Sequence, residues 1–255
     1  MVAGFRIPSK GPSGRPFRGV GLICLIVVSG LSACTSQAEI RWLVRALPGS
    51  YPEIVYFVPT DEQSIAMTID DGVDPQTTPK ILEVLREHEA KATFFLVSDT
   101  IPGNELLVQR LLEEGHEIGH HMTTDEVTVK LPAHELADKF HRASSVLEAF
   151  GTVQWFRPGS ARYNDQVLDL TRERGYRIAL ASVAPMDTLI RNAGYMANYI
   201  NWTVEPGSVV VLHDVGNRGE RTARTLQLLL PKLKEKGYSV LSLGELDKLN
   251  NYQAE

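Results

Sequence analysis

Cysteine is almost absent from this 255-residue chain, which has only Cys24 and Cys34. Because both lie near the amino terminus, no disulfide can form within residues 35–255. That segment must therefore be stabilised by an ordinary hydrophobic core. A hydrophobic content of 43% is typical of globular proteins and is sufficient for one large domain or two small ones.

Blocks of positive charge are also missing beyond the amino-terminal region. The net charge is −5, and residues 35–255 contain no basic run interleaved with aromatic residues. Such runs are typical of nucleic-acid-binding surfaces, so we expect no nucleic-acid partner. The chain also shows no internal repeat and no low-complexity tract.

The longest apolar run, GVGLICLIVVSGLSAC at 19–34, is shorter than the ~20 apolar residues that a spanning helix requires. It follows a positively charged segment that contains Arg6, Lys10, Arg15 and Arg18. A basic segment followed by a short apolar run predicts an export signal over 1–34.

The end of this signal, LSAC at 31–34, resembles the lipobox of bacterial lipoproteins, in which the cysteine becomes the lipidated first residue. A plain signal-peptidase site prefers a small residue where Leu31 stands, which favours lipidation of Cys34. An uncleaved anchor and an ordinary secretory cut are the alternatives. We expect an exported protein that a lipid on Cys34 attaches to the membrane of a bacterial cell envelope, on its periplasmic or cell-surface side.

Residues 35–60 are interpreted as a tether and a first strand, and 61–249 as one α/β domain. Short runs rich in β-branched and aromatic residues predict strands at 54–58, 64–69, 92–97, 154–156, 176–182, 208–213 and 238–243, with a further short one at 116–119. Helical periodicity predicts helices at 76–88, 102–114, 133–150, 165–174, 192–202 and 220–236. This alternation predicts a mostly parallel sheet, and about seven β/α units suit a distorted or incomplete (β/α) barrel.

Polar residues follow several of these strands where the strands end. They are Asp70, Asp71 and Gly72 after the second strand, GHHMTTDE at 119–126, FRPGS at 156–160 and LHD at 212–214. In a parallel barrel the carboxyl ends of all strands share one face, where active sites lie. Adjacent carboxylates repel each other, and a bound cation would offset that repulsion. These residues therefore predict one cation-containing site at that face.

The segment HEIGH at 116–120 also matches H-E-x-x-H, the zinc-protease signature. That chemistry requires a helix that carries both histidines on one face. Gly115 ends the preceding helical pattern and Gly119 lies inside the motif, which argues against such a helix. His116 is therefore interpreted as structural, and Glu117 as a solvated strand residue.

Taken together, the strand-end motifs resemble those of the polysaccharide deacetylase (NodB-like) family, carbohydrate esterase family four. The family motif T-F-D-D-G corresponds to TIDDG at 68–72, and N-H-T-x-x-H corresponds to HHMTTD at 120–125. The third motif, R-x-P or R-P-aromatic, corresponds to RPG at 157–159, and the final L-H corresponds to Leu212 and His213. The resemblance covers about 64–248, and we assign 61–249 as the family domain.

The resemblance implies a role for each matched residue. It makes Asp71, His121 and Asp125 ligands of a divalent metal ion. It makes Asp70 the general base, held by Arg157, and His213 the general acid that protonates the departing amine. Asp187 would orient His213. Substrate contacts are assigned to Pro158, Gly159 and Leu212, with a backbone N–H near Gly159 contributing to oxyanion binding.

Two departures from the family pattern affect these expectations. Asp125 stands where most members have a second metal-binding histidine, and Gly159 stands where many have an aromatic residue. One imidazole and two carboxylates suit Zn, Mn, Co, Fe or Ni. The expected function is removal of N-acetyl groups from amino sugars of a glycan, such as peptidoglycan or a chitin-like polymer. The alternative is a catalytically inactive carbohydrate-binding module on the same scaffold.

Overall fold

The computed structural model describes residues 53–250, in which eight strands form one parallel sheet. The strands are β1 (Ile54–Val55), β2 (Ser64–Asp70), β3 (Thr93–Leu96), β4 (Glu117–His120), β5 (Trp155–Phe156), β6 (Arg177–Ala179), β7 (Val209–His213) and β8 (Ser239–Leu241). Their order is β1-β6-β5-β4-β3-β2-β7, and β8 pairs with the first half of β2. The predicted parallel sheet is confirmed, although several strands are shorter than the runs that predicted them.

The two edges of this sheet curl towards each other. The Val58 N–H donates to the Gly207 carbonyl oxygen at 2.9 Å, just before β7. Beyond β6, Val183 pairs with Val210 in a parallel bridge and donates to the Val209 carbonyl oxygen at 3.0 Å. These few bonds join the edges through irregular segments rather than through full strands. The predicted distorted, incomplete barrel is thereby confirmed.

A helix follows each strand from β2 to β8, which gives the seven β/α units that the sequence predicts. The helices are α1 (Thr78–Glu87), α2 (Glu105–Glu113), α3 (Ala133–Glu148), α4 (Asp165–Glu173), α5 (Ala193–Thr203), α6 (Gly216–Glu235) and α7 (Leu243–Asp247). Helix α6 begins at Gly216 rather than at the predicted Glu220, and the short α7 was not predicted.

Side chains alternate between two apolar layers along β2. Ile65, Met67 and Ile69 pack in a core with residues of α1 and α6, whereas Ala66 belongs to a second cluster with residues of β3, β5 and β7. The alternation follows from the two-residue period of a strand. The first layer lies between sheet and helices, and the second fills the barrel. Strand β2 is buried along its whole length, so its carboxyl end emerges from the centre of the fold.

The H-E-x-x-H segment is not helical, because β4 covers Glu117–His120. The prediction that Glu117 is solvated is wrong. Its carboxylate accepts hydrogen bonds from Thr93 Oγ1 at 2.6 Å, Trp155 Nε1 at 3.0 Å and the Gly244 N–H at 2.9 Å. A carboxylate at the start of a strand that is surrounded by three donors has no solvent-facing role. Glu117 instead ties α7 to the amino-terminal end of the barrel.

The predicted export signal, with Cys24 and Cys34, lies outside the described residues, as does most of the tether at 35–60. Between residues 53 and 250, no helix combines the length and apolar character that crossing a bilayer requires.

Candidate active site

Asp70 and His213 are neighbours because β2 and β7 pair in parallel register. The pairing runs from Ala66 with Val209 to Asp70 with His213, so both strands end side by side. Asp70 is buried, and His213 is partly exposed at the open end of the barrel. The strand register alone thus brings together a carboxylate and an imidazole that are far apart in sequence.

Arg157 follows β5 and fixes Asp70 in place. Its Nη1 donates to Asp70 Oδ1 at 2.6 Å and to Thr68 Oγ1 at 2.8 Å. Its remaining nitrogens donate to the carbonyl oxygens of Ala179 and Leu180. The guanidinium also lies 4.0 Å from the centre of the Phe95 ring. A buried guanidinium with this many partners cannot turn away, so the orientation of the Asp70 carboxylate is set before substrate arrives.

Asp71 leaves the strand direction because its backbone adopts the left-handed conformation, with φ of 78°. Asp tolerates this conformation better than most residues. Its Oδ1 lies 3.6 Å from His121 Nε2. Burial raises the pKa of the Asp71 carboxyl. The charges of His121 and His213 lower this pKa, and those of Asp70 and Asp125 raise it further. An anionic Asp71 in this position therefore needs a cation.

His121 presents one particular nitrogen to Asp71. Its Nδ1 lies 2.7 Å from the Arg157 carbonyl oxygen and donates to it, which leaves the Nε2 lone pair directed to the site. This contact exists because β4 and β5 are paired at His120 and Phe156, which places the next residues of both strands together. A histidine held in this tautomer by a carbonyl oxygen is typical of metal-binding imidazoles.

Asp125 completes a three-residue cluster. One donor atom each from Asp71, His121 and Asp125 lie within 4.8 Å of one another. The segment between His121 and Asp125 is an irregular turn rather than a helix, and Asp125 does not cap α3, whose N-cap is Pro132. Asp71 Oδ2 is buried without a hydrogen-bond partner. One imidazole nitrogen and two carboxylates fit a divalent cation of the kind the sequence predicts.

His213 is held by Asp187, which lies in the loop between β6 and α5. His213 Nδ1 lies 2.9 and 2.8 Å from the two carboxylate oxygens of Asp187. Burial lowers the pKa of His213, but the hydrogen bond to Asp187 and the charges of Asp70, Asp187 and Asp71 outweigh it, and the net pKa is raised. Arg221 in turn donates to the Asp187 carbonyl oxygen at 3.1 Å. The ring of His213 therefore retains its proton to higher pH than the ring of a free histidine does.

The three predicted substrate contacts are not brought to the open face. Leu212 is fully buried in the core between sheet and helices, and Pro158 is also buried. The Gly159 N–H donates to Thr128 Oγ1 at 2.8 Å, so this donor is already used. A Cβ at Gly159 would stand 1.7 Å from the Glu126 carbonyl oxygen. The close approach of the Glu126 backbone explains why no aromatic residue stands at 159.

Asp214 was not singled out from the sequence, although it follows His213 directly. Its buried carboxylate accepts hydrogen bonds from the hydroxyls of Thr77, at 2.5 Å, and Thr78. A Cβ on Gly72 would lie 2.9 Å from Asp214 Oδ2, so this carboxylate supports the turn that carries Asp71. Burial chiefly raises the pKa of Asp214 to about 6, against the lowering effect of the two hydroxyls. Its position directly after His213, the histidine that ends β7, is the sequence feature that could have indicated a role for Asp214.

The pairs of Asp70 with Arg157 and of His213 with Asp187 therefore lie at the carboxyl ends of the strands together with the three-residue cluster. Residues 57–179 match the family model for polysaccharide deacetylase. A peptidoglycan-N-acetylglucosamine deacetylase of Bacillus cereus is 33% identical over 196 residues, which cover 76% of this chain and 92% of that protein. The chain belongs to the polysaccharide deacetylase family, carbohydrate esterase family four, a family of hydrolases. The resemblance noted from the motifs is thus confirmed.

Other relatives differ in their reported activity. The peptidoglycan-N-acetylmuramic acid deacetylase PdaA of Bacillus subtilis is 28% identical, with 75% of this chain and 74% of that protein covered. A crystal structure of a peptidoglycan N-acetylglucosamine deacetylase with a naphthyl N-hydroxybenzamide superposes with a TM-score of 0.72 at 26% identity, covering 84% of this chain and 98% of that one. Another, of a family pseudoenzyme variant with restored activity, has a TM-score of 0.70 at 27% identity, covering 77% and 71%.

Proposed function

We propose that this protein hydrolyses the N-acetyl groups of amino sugars in an envelope glycan. The observation that carries this proposal is the arrangement of two fixed pairs, Asp70 with Arg157 and His213 with Asp187, beside one cation-binding cluster. A proton acceptor and a proton donor within one site are what hydrolysis of an amide requires, and the strand pairing places Asp70 next to His213.

In the proposed reaction water adds to the acetyl carbonyl and the carbon–nitrogen bond then breaks, which yields acetate and a free amine. Asp70 accepts the proton from the attacking water, and Arg157 keeps the carboxylate aimed at it. His213 donates a proton to the departing nitrogen through Nε2, because its Nδ1 is held by Asp187. The raised pKa of His213 favours the protonated ring that this step requires.

Asp71, His121 and Asp125 would hold the divalent cation, and zinc, manganese, cobalt, iron and nickel all suit these ligands. The cation would supply Lewis-acid polarisation of the acetyl carbonyl and acidify the attacking water. Two carboxylates with one imidazole form a harder ligand set than two imidazoles with one carboxylate. The Gly159 N–H is engaged by Thr128, so we no longer assign it to oxyanion binding.

Peptidoglycan is the substrate that the relatives support best, since the two Bacillus relatives reported above by sequence are named for its N-acetylglucosamine and its N-acetylmuramic acid. A further relative from Bradyrhizobium is named a chitooligosaccharide deacetylase, which keeps chitin-like oligomers among the candidates. A cell-wall substrate agrees with the predicted export and with attachment to the envelope through Cys34.

The test uses full-length protein purified in detergent. It is stripped of metal and reloaded with zinc, manganese, cobalt, iron or nickel, and acetate release is measured on peptidoglycan and on N-acetylated oligosaccharides. We expect release with at least one cation and none after chelation. If the protein binds glycan but releases no acetate with any cation, the inactive carbohydrate-binding module replaces this proposal.

Asp125 is the ligand that departs from the family pattern, and Asp125→Ala tests it. As a ligand, Asp125 supplies the third protein contact, so the variant should lose most bound metal and most acetate release together. Asp138→Ala, which removes an exposed carboxylate of α3, is the matched control. A folded Asp125→Ala protein with full metal content and unchanged turnover would end the three-ligand assignment.

Attachment through Cys34 is tested by Cys34→Ser, with Cys24→Ser as the control within the same signal. We expect Cys34→Ser to move the protein from the membrane fraction to a soluble exported fraction, whereas Cys24→Ser should leave it on membranes. Membrane retention of both variants would indicate an uncleaved anchor.

A further inference from the structure

The two carboxylate oxygens of Asp71 have different neighbours. Oδ1 faces His121 Nε2 at 3.6 Å, within the proposed metal cluster. Oδ2 lies 3.2 Å from Arg218 Nη1, which reaches it from the first turn of α6. Arg218 matches none of the family motifs used above, and no role has yet been given to it.

The contact between Arg218 and Asp71 is an ion pair that lacks hydrogen-bond alignment, since Oδ2 is buried without a hydrogen-bond partner. Arg157 differs from Arg218 in both hydrogen bonding and exposure. It donates a 2.6 Å hydrogen bond to Asp70, and its side chain is 4% exposed, against 28% for Arg218. Arg157 therefore orients its carboxylate, whereas Arg218 chiefly contributes positive charge. A partly exposed guanidinium can also shift when the charge beside it changes.

The ligand set explains why an additional positive charge is useful here. Asp71 and Asp125 together with a neutral His121 carry a charge of −2, and the Arg218 guanidinium reduces it to −1. A set with a histidine in place of Asp125 would carry −1 without any arginine. Buried carboxylates that face each other are costly without a compensating cation.

We propose that Arg218 is a positioning residue that balances the charge of Asp71, so that the proposed metal binds a site of net charge −1. This inference rests on the proposed metal site but not on any particular substrate. Arg218 stabilises the metal-free protein and, because two cations beside one carboxylate repel each other, weakens the hold of the site on its metal.

The test compares Arg218→Gln, Arg218→Lys and Arg224→Gln in full-length, metal-stripped protein. Arg224→Gln removes one exposed positive charge from the same helix and is the matched control. Calorimetric titration with ZnCl₂ and with MnCl₂ measures the Kd. We expect Arg218→Gln to bind each cation about tenfold more tightly, Arg218→Lys within about threefold of wild type, and Arg224→Gln within about twofold, since charge effects near a protein surface are strongly screened.

Thermal unfolding gives an independent readout. Metal-free Arg218→Gln should melt below metal-free wild type, and saturating metal should raise its Tm by more than it raises that of wild type. Unchanged affinity in Arg218→Gln would overturn the proposal, and weaker binding would show that Arg218 orients Asp71 instead. Neither measurement uses acetate release, so the proposed activity can fail while this inference stands, or the reverse.

Discussion

Each end of the barrel holds a buried carboxylate, and the two differ in how they are satisfied. At the amino-terminal end, Glu117 accepts three hydrogen bonds from Thr93, Trp155 and Gly244. At the carboxyl end, Asp71 keeps an oxygen without a hydrogen-bond partner. Burial is the main cause of a raised pKa in both. A perturbed pKa therefore does not distinguish structure from function here. The two carboxylates differ in their neighbours, because Glu117 accepts bonds from neutral donors, whereas Asp71 lies beside His121 and the Arg218 guanidinium.

The histidines at the two ends differ in the same way. His116 has no carboxylate hydrogen-bonded to its ring, and burial lowers its pKa to about 4. His213 has Asp187 at 2.8 Å, and its pKa is raised. One environment favours the neutral imidazole, and the other favours the protonated one. The variants below test whether chemistry is confined to the carboxyl end.

Asp70→Asn should have the largest effect. The amide cannot accept the proton of the attacking water, so kcat for acetate release should fall by about 10⁴, the upper end of what positioned proton transfer contributes. Asp71 and His121 remain, so metal content should stay near that of wild type. Asp138→Asn, on the surface of α3, serves as the control. Full turnover in Asp70→Asn would remove Asp70 from the mechanism.

His213→Ala should lower kcat by about 10²–10⁴ while sparing metal affinity, because His213 is not one of the three residues proposed to hold the metal. Asp187→Asn should lower kcat less, since the ring remains, and should shift the alkaline limb of the pH–rate profile to lower pH because the raised pKa of His213 depends on Asp187. Initial rates across pH and metal analysis of the same preparations measure both effects. Loss of metal from His213→Ala would show that His213 is a ligand.

Much of the carboxyl end was predictable from sequence. In a parallel barrel all strands end at one face, so Asp70, Asp71, His121, Arg157 and His213 could be placed together from their positions after apolar runs. The structure pairs Asp70 with Arg157 and His213 with Asp187 as expected.

What sequence could not supply was the direction of individual side chains. Leu212 alternates into the core beside His213, and Glu117 meets donors from β3, β5 and α7, which are distant in the chain. Arg218 reaches Asp71 from a helix that begins four residues before its predicted start. Each of these outcomes depends on tertiary contacts that no local pattern encodes.

Glu117→Ala tests the role of the carboxylate at the amino-terminal end of the barrel. The change leaves Trp155 Nε1, the Gly244 N–H and Thr93 Oγ1 without their acceptor, so we expect a loss of about 1–3 kcal/mol in the free energy of unfolding. Urea denaturation measures it, and Glu113→Ala, at an exposed position of α2, is the control. Acetate release per folded molecule should be unchanged. A selective fall in kcat would mean that the amino-terminal end takes part in catalysis.

A further effect on stability, which appears only on acidification, is a pH dependence that comes from His116. Burial and the charge of Lys91 lower its folded-state pKa to about 4, although Glu114 and Glu245 oppose the shift. The ring accepts a hydrogen bond from the Ala92 N–H at 3.3 Å through Nδ1, which requires that nitrogen to be unprotonated.

Because the unfolded chain binds a proton at its ordinary pKa near 6.5, the contribution of His116 is complete above that pH and is lost as the pH falls from 6.5 towards 4. The loss is about 3 kcal/mol at most, from 1.36 kcal/mol per pKa unit. His120, with a pKa also lowered to about 4 chiefly by burial, adds a similar dependence that His116→Gln does not remove.

The informative quantity is therefore the difference in the free energy of unfolding between wild type and His116→Gln, measured by urea denaturation from pH 7.5 to 4.5. This difference should shrink as the pH falls, whereas that for His134→Gln, at an exposed position of α3, should stay constant. A constant difference for His116→Gln would show that its ring is not held neutral, and the contrast between the two ends would then rest on the carboxylates alone.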